Sequence, residues 1–172
     1  GVATRPIENM RAYRDKLTNV VFRTGLMMKP VFDRAKADPR RVVYAEGEED
    51  VTLRAVQTVV DEGLARPILV GRPDVIARRI ERAGLRLVPG TDFELCNIHS
   101  DPRFDDYWRH YHCLMERRGV TPAMAKAVIR SRSGAIAAMM VERGDADAMI
   151  CGLVGQYQKK LKYITDIIGP DQ

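Results

Sequence analysis

The 172 residues carry 28 Lys and Arg against 23 Asp and Glu, a net charge of +5, with 45% hydrophobic and 30% charged residues. That is a single globular domain or one lobe of something larger, with enough chain to bury a substantial core. The basic excess is modest and scattered, which excludes a nucleic-acid footprint. No window approaches the apolar length of a membrane span, and the N-terminal GVATRPIENM has no apolar signal core. The three cysteines, Cys96, Cys113 and Cys151, have no C-x-x-C spacing and read as buried thiols in a reducing cytoplasm.

In chain order, Met10, Tyr13, Leu17, Val20 and Val21 recur at helical spacing, predicting a helix from about Glu8 to Thr24 that Gly25 ends. Lys29-Pro30 restarts a short helical stretch, and ADPR breaks it. Residues 1–40 therefore read as a helical arm or linker and 41–172 as the globular part.

From Arg41 strands and helices alternate. RVVYA is a short strand, and EGEED is a turn into a helix, with acids suited to the helix N-terminus. That helix runs from Val51 to Glu62 with Gly63 as its C-cap. A second strand spans 66–71, and a helix opened by Pro73 and Asp74 closes at Gly84. DFELCNI is a possible third strand. Helices follow from Phe104 to Arg118, from Thr121 to about Arg130 and from Ser133 to Arg143. DADAMICG is a strong, buried strand, and LVGQYQKKLKYITDIIG turns into a last helix. The alternation predicts an α/β fold with a mainly parallel sheet covered on both faces.

In such sheets ligands bind beyond the carboxyl ends of strands, where strand order reverses. Two loops qualify: Glu46 to Asp50, and Gly152-Leu153-Val154-Gly155 with the following Gln156 and Lys159. The second is neutral and opens a helix bearing Lys159, Lys160 and Lys162, so its backbone N–H groups could hold a phosphate or a carbonyl oxygen, or it is a plain βα turn. It matches neither the P-loop nor G-x-G-x-x-G. The acidic turn would repel phosphate; it could hold an amine or hydroxyl, and capping its helix is the better reading. RSRSG, residues 130–134, could grip a phosphate, although a solvated cap is the simpler reading. His110 and His112 point about 200° apart on a helix, so they cannot share a metal ion. Phe104, Tyr107, Trp108, Tyr111, Leu114 and Met115 form a packing stripe. No Ser-His-Asp or Cys-His arrangement is present.

The segments RVVYAEGEED, DEGLARPILVGRPDVIARRIERAGL, DYWRHYHCLMERRGVTPAMAKAVIRSR and MMVERGDADAMICGLVG, in this order, resemble the C-terminal phosphotransacetylase-like domain of the large bacterial NADP-dependent malic enzymes. The arm with ATRPI, YRDKL and MKPVF resembles the linker that joins the malic domain to it. The resemblance implies a three-layer α/β/α fold similar to phosphate acetyltransferases and to isocitrate and isopropylmalate dehydrogenases, here as a partial domain. It implies a malic domain before Gly1, holding NADP and Mg or Mn, and the rest of the acetyltransferase-like domain after Gln172, with no cofactor of this chain's own.

The implied function is a regulatory, acetyl-CoA-sensing lobe of an enzyme that decarboxylates malate to pyruvate and CO2. That enzyme would be cytoplasmic and a homodimer or higher homo-oligomer, with no nucleic-acid or membrane partner. The residues implied to meet the acyl-CoA are Gly152, Leu153, Val154, Gly155, Gln156 and Lys159, with Glu46, Gly47 and Glu48 at the cleft rim. Phosphate acetyltransferases resemble Ser-Gly-x-x-His-Thr-Thr after this strand, whereas this chain reads Cys151-Gly152-Leu153-Val154-Gly155-Gln156-Tyr157. The hydroxyls are gone, and Val51 stands where relatives commonly carry arginine. The alternatives are an active phosphate acetyltransferase and a purely structural oligomerisation domain.

Overall fold

The computed structural model describes the backbone of residues 9–169, and the side chains of that range except 14–26. The chain divides into two units, Gly1–Asp38 and Pro39–Gln172. The first contains α1, Met10–Ala37, whose N-cap Asn9 accepts a hydrogen bond from the Ala12 N–H. Gly25 does not end this helix and Pro30 lies inside it, so the expected break is absent. A lone interior glycine costs a helix only about 1 kcal/mol, and the true stop is Asp38 before Pro39, where the α conformation is disfavoured. Of the expected apolar stripe, the side chains of Leu17, Val20 and Val21 lie outside the described residues, as does the ATRPI segment.

The second unit runs β1 (Arg40–Tyr44), α2 (Asp50–Asp61), β2 (Ala65–Val70), α3 (Pro73–Arg82), β3 (Glu94–Cys96), α4 (Phe104–Met115), α5 (Pro122–Ser131), α6 (Ser133–Glu142), β4 (Ala148–Ile150) and α7 (Tyr157–Ile167). A short 3-10 turn, Glu116–Arg118, follows α4. The four strands form one parallel sheet in the order β3-β2-β1-β4. After β1 the chain steps through β2 to β3 on one side; it then returns to place β4 on the other side of β1. The order reverses between β1 and β4.

Alternation along β1 and β2 explains why both faces are covered. Val43, Ala45, Ile68 and Val70 point to one face, into a core shared with Tyr107, Tyr111, Ile129 and the α6 residues Ala135–Met140. Tyr44 and Leu69 point to the other, against Leu53 and Val56 of α2 and Ile76 and Ile80 of α3. In α6 every residue from Gly134 to Met140 is buried, as suits a helix apolar all round.

The helix ends follow the sequence closely. Gly63, Gly84 and Gly144 each adopt positive φ one or two residues past a helix, and the Thr121 hydroxyl accepts from the Met124 N–H at the start of α5. β4 departs from expectation: it has three residues, and Ala148 and Ile150 are exposed. Within the described residues it is the sheet's edge, so its apolar run is not buried on both faces. The thiols also differ. Cys96 is buried, and burial pushes its thiol up to about 12, but Cys113 is exposed. In the α4 stripe Tyr107, Tyr111 and Met115 are buried while Leu114 is exposed.

Two contacts pin the strands that matter for the site. At the start of the β1–β4 seam, Asp147 accepts from the Arg41 backbone N–H at 2.8 Å and from its guanidinium at 2.9 and 3.2 Å. Those bonds hold the Asp147 carboxyl at about 2. At the far end of β1, Gly47 donates its N–H to the Val70 carbonyl at 3.2 Å, and a Cβ there would lie 2.8 Å from that oxygen and 2.9 Å from Leu69 Cβ.

Because the folded-state value of Asp147 is depressed, its contribution to stability is complete above about pH 4 and is lost as pH falls towards about 2. Acid titration of stability should therefore be shallower in this window for Asp147→Asn than for the unmodified chain, as read from urea midpoints at each pH. Replacing Gly47 with alanine forces β1 and β2 apart, and urea unfolding should show a loss of about 1–3 kcal/mol.

Candidate functional site

The EGEED turn is built by glycine and held by arginine. Glu49 donates its N–H to the Glu46 carbonyl at 3.1 Å, closing the turn, and Leu53 bonds back to Glu49 to start α2. No side chain caps α2, so the expected capping role falls away; the carboxylates have other partners. Glu48 receives three hydrogen bonds from Arg72, from its backbone N–H and Nε at 2.9 Å and its Nη2 at 2.8 Å. The Arg72 side chain foremost holds the Glu48 carboxyl below the usual range. Arg79 donates to the Glu48 carbonyl at 2.5 Å and lies 3.5 Å from the Glu49 carboxylate, while Arg82 pairs with Asp50 at 2.7 Å. These pairs tie the turn to α3.

Glu46 faces the other way, across the seam. Its side chain is 9% exposed and pairs with the Lys160 ammonium. The same Oε1 accepts the Gly152 N–H at 3.1 Å. Just below, Ala45 N–H bonds to the Ile150 carbonyl at 3.0 Å, so Glu46 extends the β1–β4 pairing by a side chain. The amine that Glu46 holds is the protein's own Lys160 rather than a ligand's.

Above this seam opens a cleft of about 570 Å³, within the size range of small-molecule sites. One wall is the β1–α2 turn with Ala45, Glu46, Glu48 and Glu49, together with Val70 and Gly71. The opposite wall is the α5–α6 junction, Ser131 to Gly134. The third is the β4–α7 loop and the first turns of α7, with Val154, Gly155, Gln156, Lys159, Lys160 and Tyr163.

The expected residues Glu46, Glu48, Val154, Gly155, Gln156 and Lys159 thus meet at one cleft, while Gly47, Gly152 and Leu153 lie outside its lining. Gly152 and Gly155 have φ of 114° and 92°. An added Cβ would meet nothing within 4 Å at the first and only Lys160 Cε, 3.8 Å away, at the second. Backbone conformation, not tight packing, requires glycine at both.

Arg132 is the residue the sequence under-read. RSRSG reads as a solvated cap; the structure puts Arg132 at the α6 N-terminus on the cleft wall. Among the described residues neither Arg132 nor Lys159 has a carboxylate partner, whereas Lys160 has Glu46. The signal available was the abrupt change from the polar RSRS to the wholly apolar GAIAAMMV, which fixes where the buried helix starts.

No histidine or cysteine lines the cleft. The Ser131 hydroxyl is committed to the Ala127 carbonyl at 2.7 Å, and Glu46 and Glu48 are neutralised by Lys160 and Arg72. The Ser133 hydroxyl also lines the cleft, with no histidine in the lining beside it. What remains is a mixed surface of apolar Val70, Ile98 and Val154, hydrogen-bonding Gln156 and Tyr163, and the cations Arg132 and Lys159.

The comparisons with known proteins agree with the fold. Residues 26–172 match the phosphate acetyl/butaryl transferase family. The chain is 49% identical over 169 residues to the NADP-dependent malic enzyme of Haemophilus influenzae and 50% identical over 169 residues to that of Salmonella typhimurium. Each match covers 98% of this chain but 22% of the relative, so the chain spans about a fifth of those enzymes. Among solved structures, a phosphotransacetylase from Streptococcus pyogenes superimposes with a TM-score of 0.69 at 20% identity, over 81% of this chain and 42% of that one. The EutD phosphotransacetylase from Staphylococcus aureus does so with a TM-score of 0.71 at 17% identity, over 81% and 41%. The structural likeness carries the parallel sheet and its helices, and the sequence match carries the kinship: this chain is a member of the phosphate acetyl/butaryl transferase family.

Proposed function

We propose that the chain is the acyl-CoA-sensing lobe of a bacterial malic enzyme, a binding domain that regulates the oxidative decarboxylation of malate to pyruvate and CO2. The observation that carries this reading is the switch-point cleft, where Arg132 and Lys159, with no carboxylate partner among the described residues, stand beside apolar surface and no histidine or cysteine. A coenzyme A thioester has that mixed character, with anionic phosphates and a neutral acyl end. Arg132 and Lys159 would attract the phosphates, and Gln156 and Tyr163 would hydrogen-bond the uncharged part. The high identity to malic enzymes across nearly the whole chain supports the parentage.

In this reading NADP and a Mg or Mn ion belong to the malic domain outside the chain. The sequence carries no Gly-rich nucleotide fingerprint, and no group of three potential metal ligands lies among the described residues. The parent enzyme is cytoplasmic. No helix among the described residues is long and apolar enough to cross a membrane.

The family match alone would favour a working phosphate acetyltransferase. Against it stand Gln156 on the cleft wall and Tyr157 turned out at 71% exposure, in place of the hydroxyl pair. The parent should accordingly form little acetyl phosphate, and turnover on the order of 10 per second would make it an acyltransferase instead.

The sensing role is tested by malate-dependent NADP reduction in the full-length parent, with and without acetyl-CoA. Arg132→Ala should raise the acetyl-CoA concentration needed for inhibition roughly tenfold, the loss of one charge-assisted contact. Full inhibition of Arg132→Ala at the original concentration would move the effector to another site. The parent is a symmetric homodimer or higher homo-oligomer, a dimer being the commonest closed assembly. Light scattering should find no monomer of the parent at high concentration.

A further inference from the structure

α7 carries the third wall of the cleft, and ion pairs pin it near both ends. Near its start Lys160 pairs with Glu46 across the β1–β4 seam. Near its end Asp166 accepts a hydrogen bond from Arg118 Nη1, in the 3-10 turn after α4, at 2.5 Å. That turn is fixed independently of α7. Gly119, at φ 84°, closes it by donating its N–H to the Glu116 carbonyl at 3.0 Å. Arg118 Nη1 also lies 3.9 Å from Sδ of the buried Met115.

Between the two pins, Lys159, Tyr163 and Asp166 occupy positions i, i+4 and i+7, a single stripe of the helix. Lys159 and Tyr163 line the cleft; Asp166 and Arg118 do not. The Asp166 side chain is nevertheless only 11% exposed, against 63% for Arg118. Tyr163 packs on the core that holds Tyr111. Burial foremost pushes the Tyr111 phenol up, with Tyr163 and Asp166 adding to the rise and Arg118 opposing it. The four side chains thus share one neighbourhood between α4 and α7.

We propose that Arg118 is a positioning residue for the α7 wall of the cleft: through Asp166 it sets where Lys159 and Tyr163 stand at the opening. The inference rests on the acyl-CoA reading of the cleft and adds a residue outside the lining on which that affinity depends. A pair exposed on both sides would contribute little. Here the carboxylate is the enclosed partner, so loss of the arginine strands a poorly solvated charge. Asp166 regains water by an outward shift of the last turns of α7. The helix carries that shift to Lys159, about 10 Å away along its axis, and binding groups lose affinity when displaced by about 1 Å.

The test uses the full-length parent with Arg118→Ala, Arg118→Lys, Asp166→Asn and the Arg118→Ala/Asp166→Asn double variant. Arg118→Ala should raise the acetyl-CoA concentration needed for half-inhibition roughly fivefold, while kcat and KM for malate without effector stay unchanged. Arg118→Lys, which keeps the charge, should restore most of the sensitivity. Asp166→Asn should match Arg118→Ala, and the double variant should be no worse than either, because the two act through one contact. Hydrogen exchange in peptides spanning Lys159 to Ile167 should quicken in Arg118→Ala and return towards the parent rate in Arg118→Lys. Unchanged α7 exchange in Arg118→Ala, or additive losses in the double variant, overturns the proposal. Should Arg118→Ala melt early, the nearly isosteric Asp166→Asn is judged by the same two readouts. An unmodified parent that acetyl-CoA does not inhibit counts against the sensor reading, and the α7 exchange then decides the positioning role by itself.

Discussion

Where β1 lies beside β4, two stretches of backbone far apart in the chain are held parallel by three successive kinds of bond. Arg41 and Asp147 grip each other at one end, ladder hydrogen bonds run through Val42–Tyr44, and Glu46 reaches over to Gly152 and Lys160 at the other. Everything that forms the cleft is referred to this seam. α6 packs beneath it and brings Arg132 to the opening, and α7 starts from it. Without the register Val43 opposite Met149, the two loops would not face each other.

The charges around the site divide their work. Arg72, just before α3, and Arg79 and Arg82 within it satisfy the carboxylates of Glu48, Glu49 and Asp50 and make that turn part of the scaffold. These pairs are half exposed and contribute modestly each. The Glu46–Lys160 pair is more deeply placed, and loss of either partner would strand the other. What is left over, Arg132 and Lys159, is the cleft's capacity to attract an anion.

Much of this was legible in the residues. Runs too short and too β-rich for helices marked β1 and β2, and glycines just past apolar stripes marked the ends of α2, α3 and α6. The unbroken α1 was not legible, because Gly25 and Pro30 are each tolerated in a long helix whose true terminator is Asp38-Pro39. Nor was the exposure of β4, since an apolar strand reads the same at an edge as in the middle of a sheet. The glycine loop and the acidic turn were singled out because each follows a strand end and contains glycine; that they face each other came from the strand order β3-β2-β1-β4. Arg132 and the Glu46–Lys160 pair escaped because they depend on how α6 and α7 return to the sheet, a relation that local spacing does not encode.

The same seam sets an order of events as the chain folds. β1 and β2 are separated by one helix and can pair once that helix has turned, with little loop to close. β1 and β4 stand 106 residues apart at the Arg41–Asp147 contact, and the entropy of closing so long a loop is recovered only when α4, α5 and α6 have packed beneath it. Until then the edge of β1 that later receives β4 is unpaired and able to capture another chain. Nascent or heated protein is thus most exposed to misassembly at the strand that, once folded, organises the cleft.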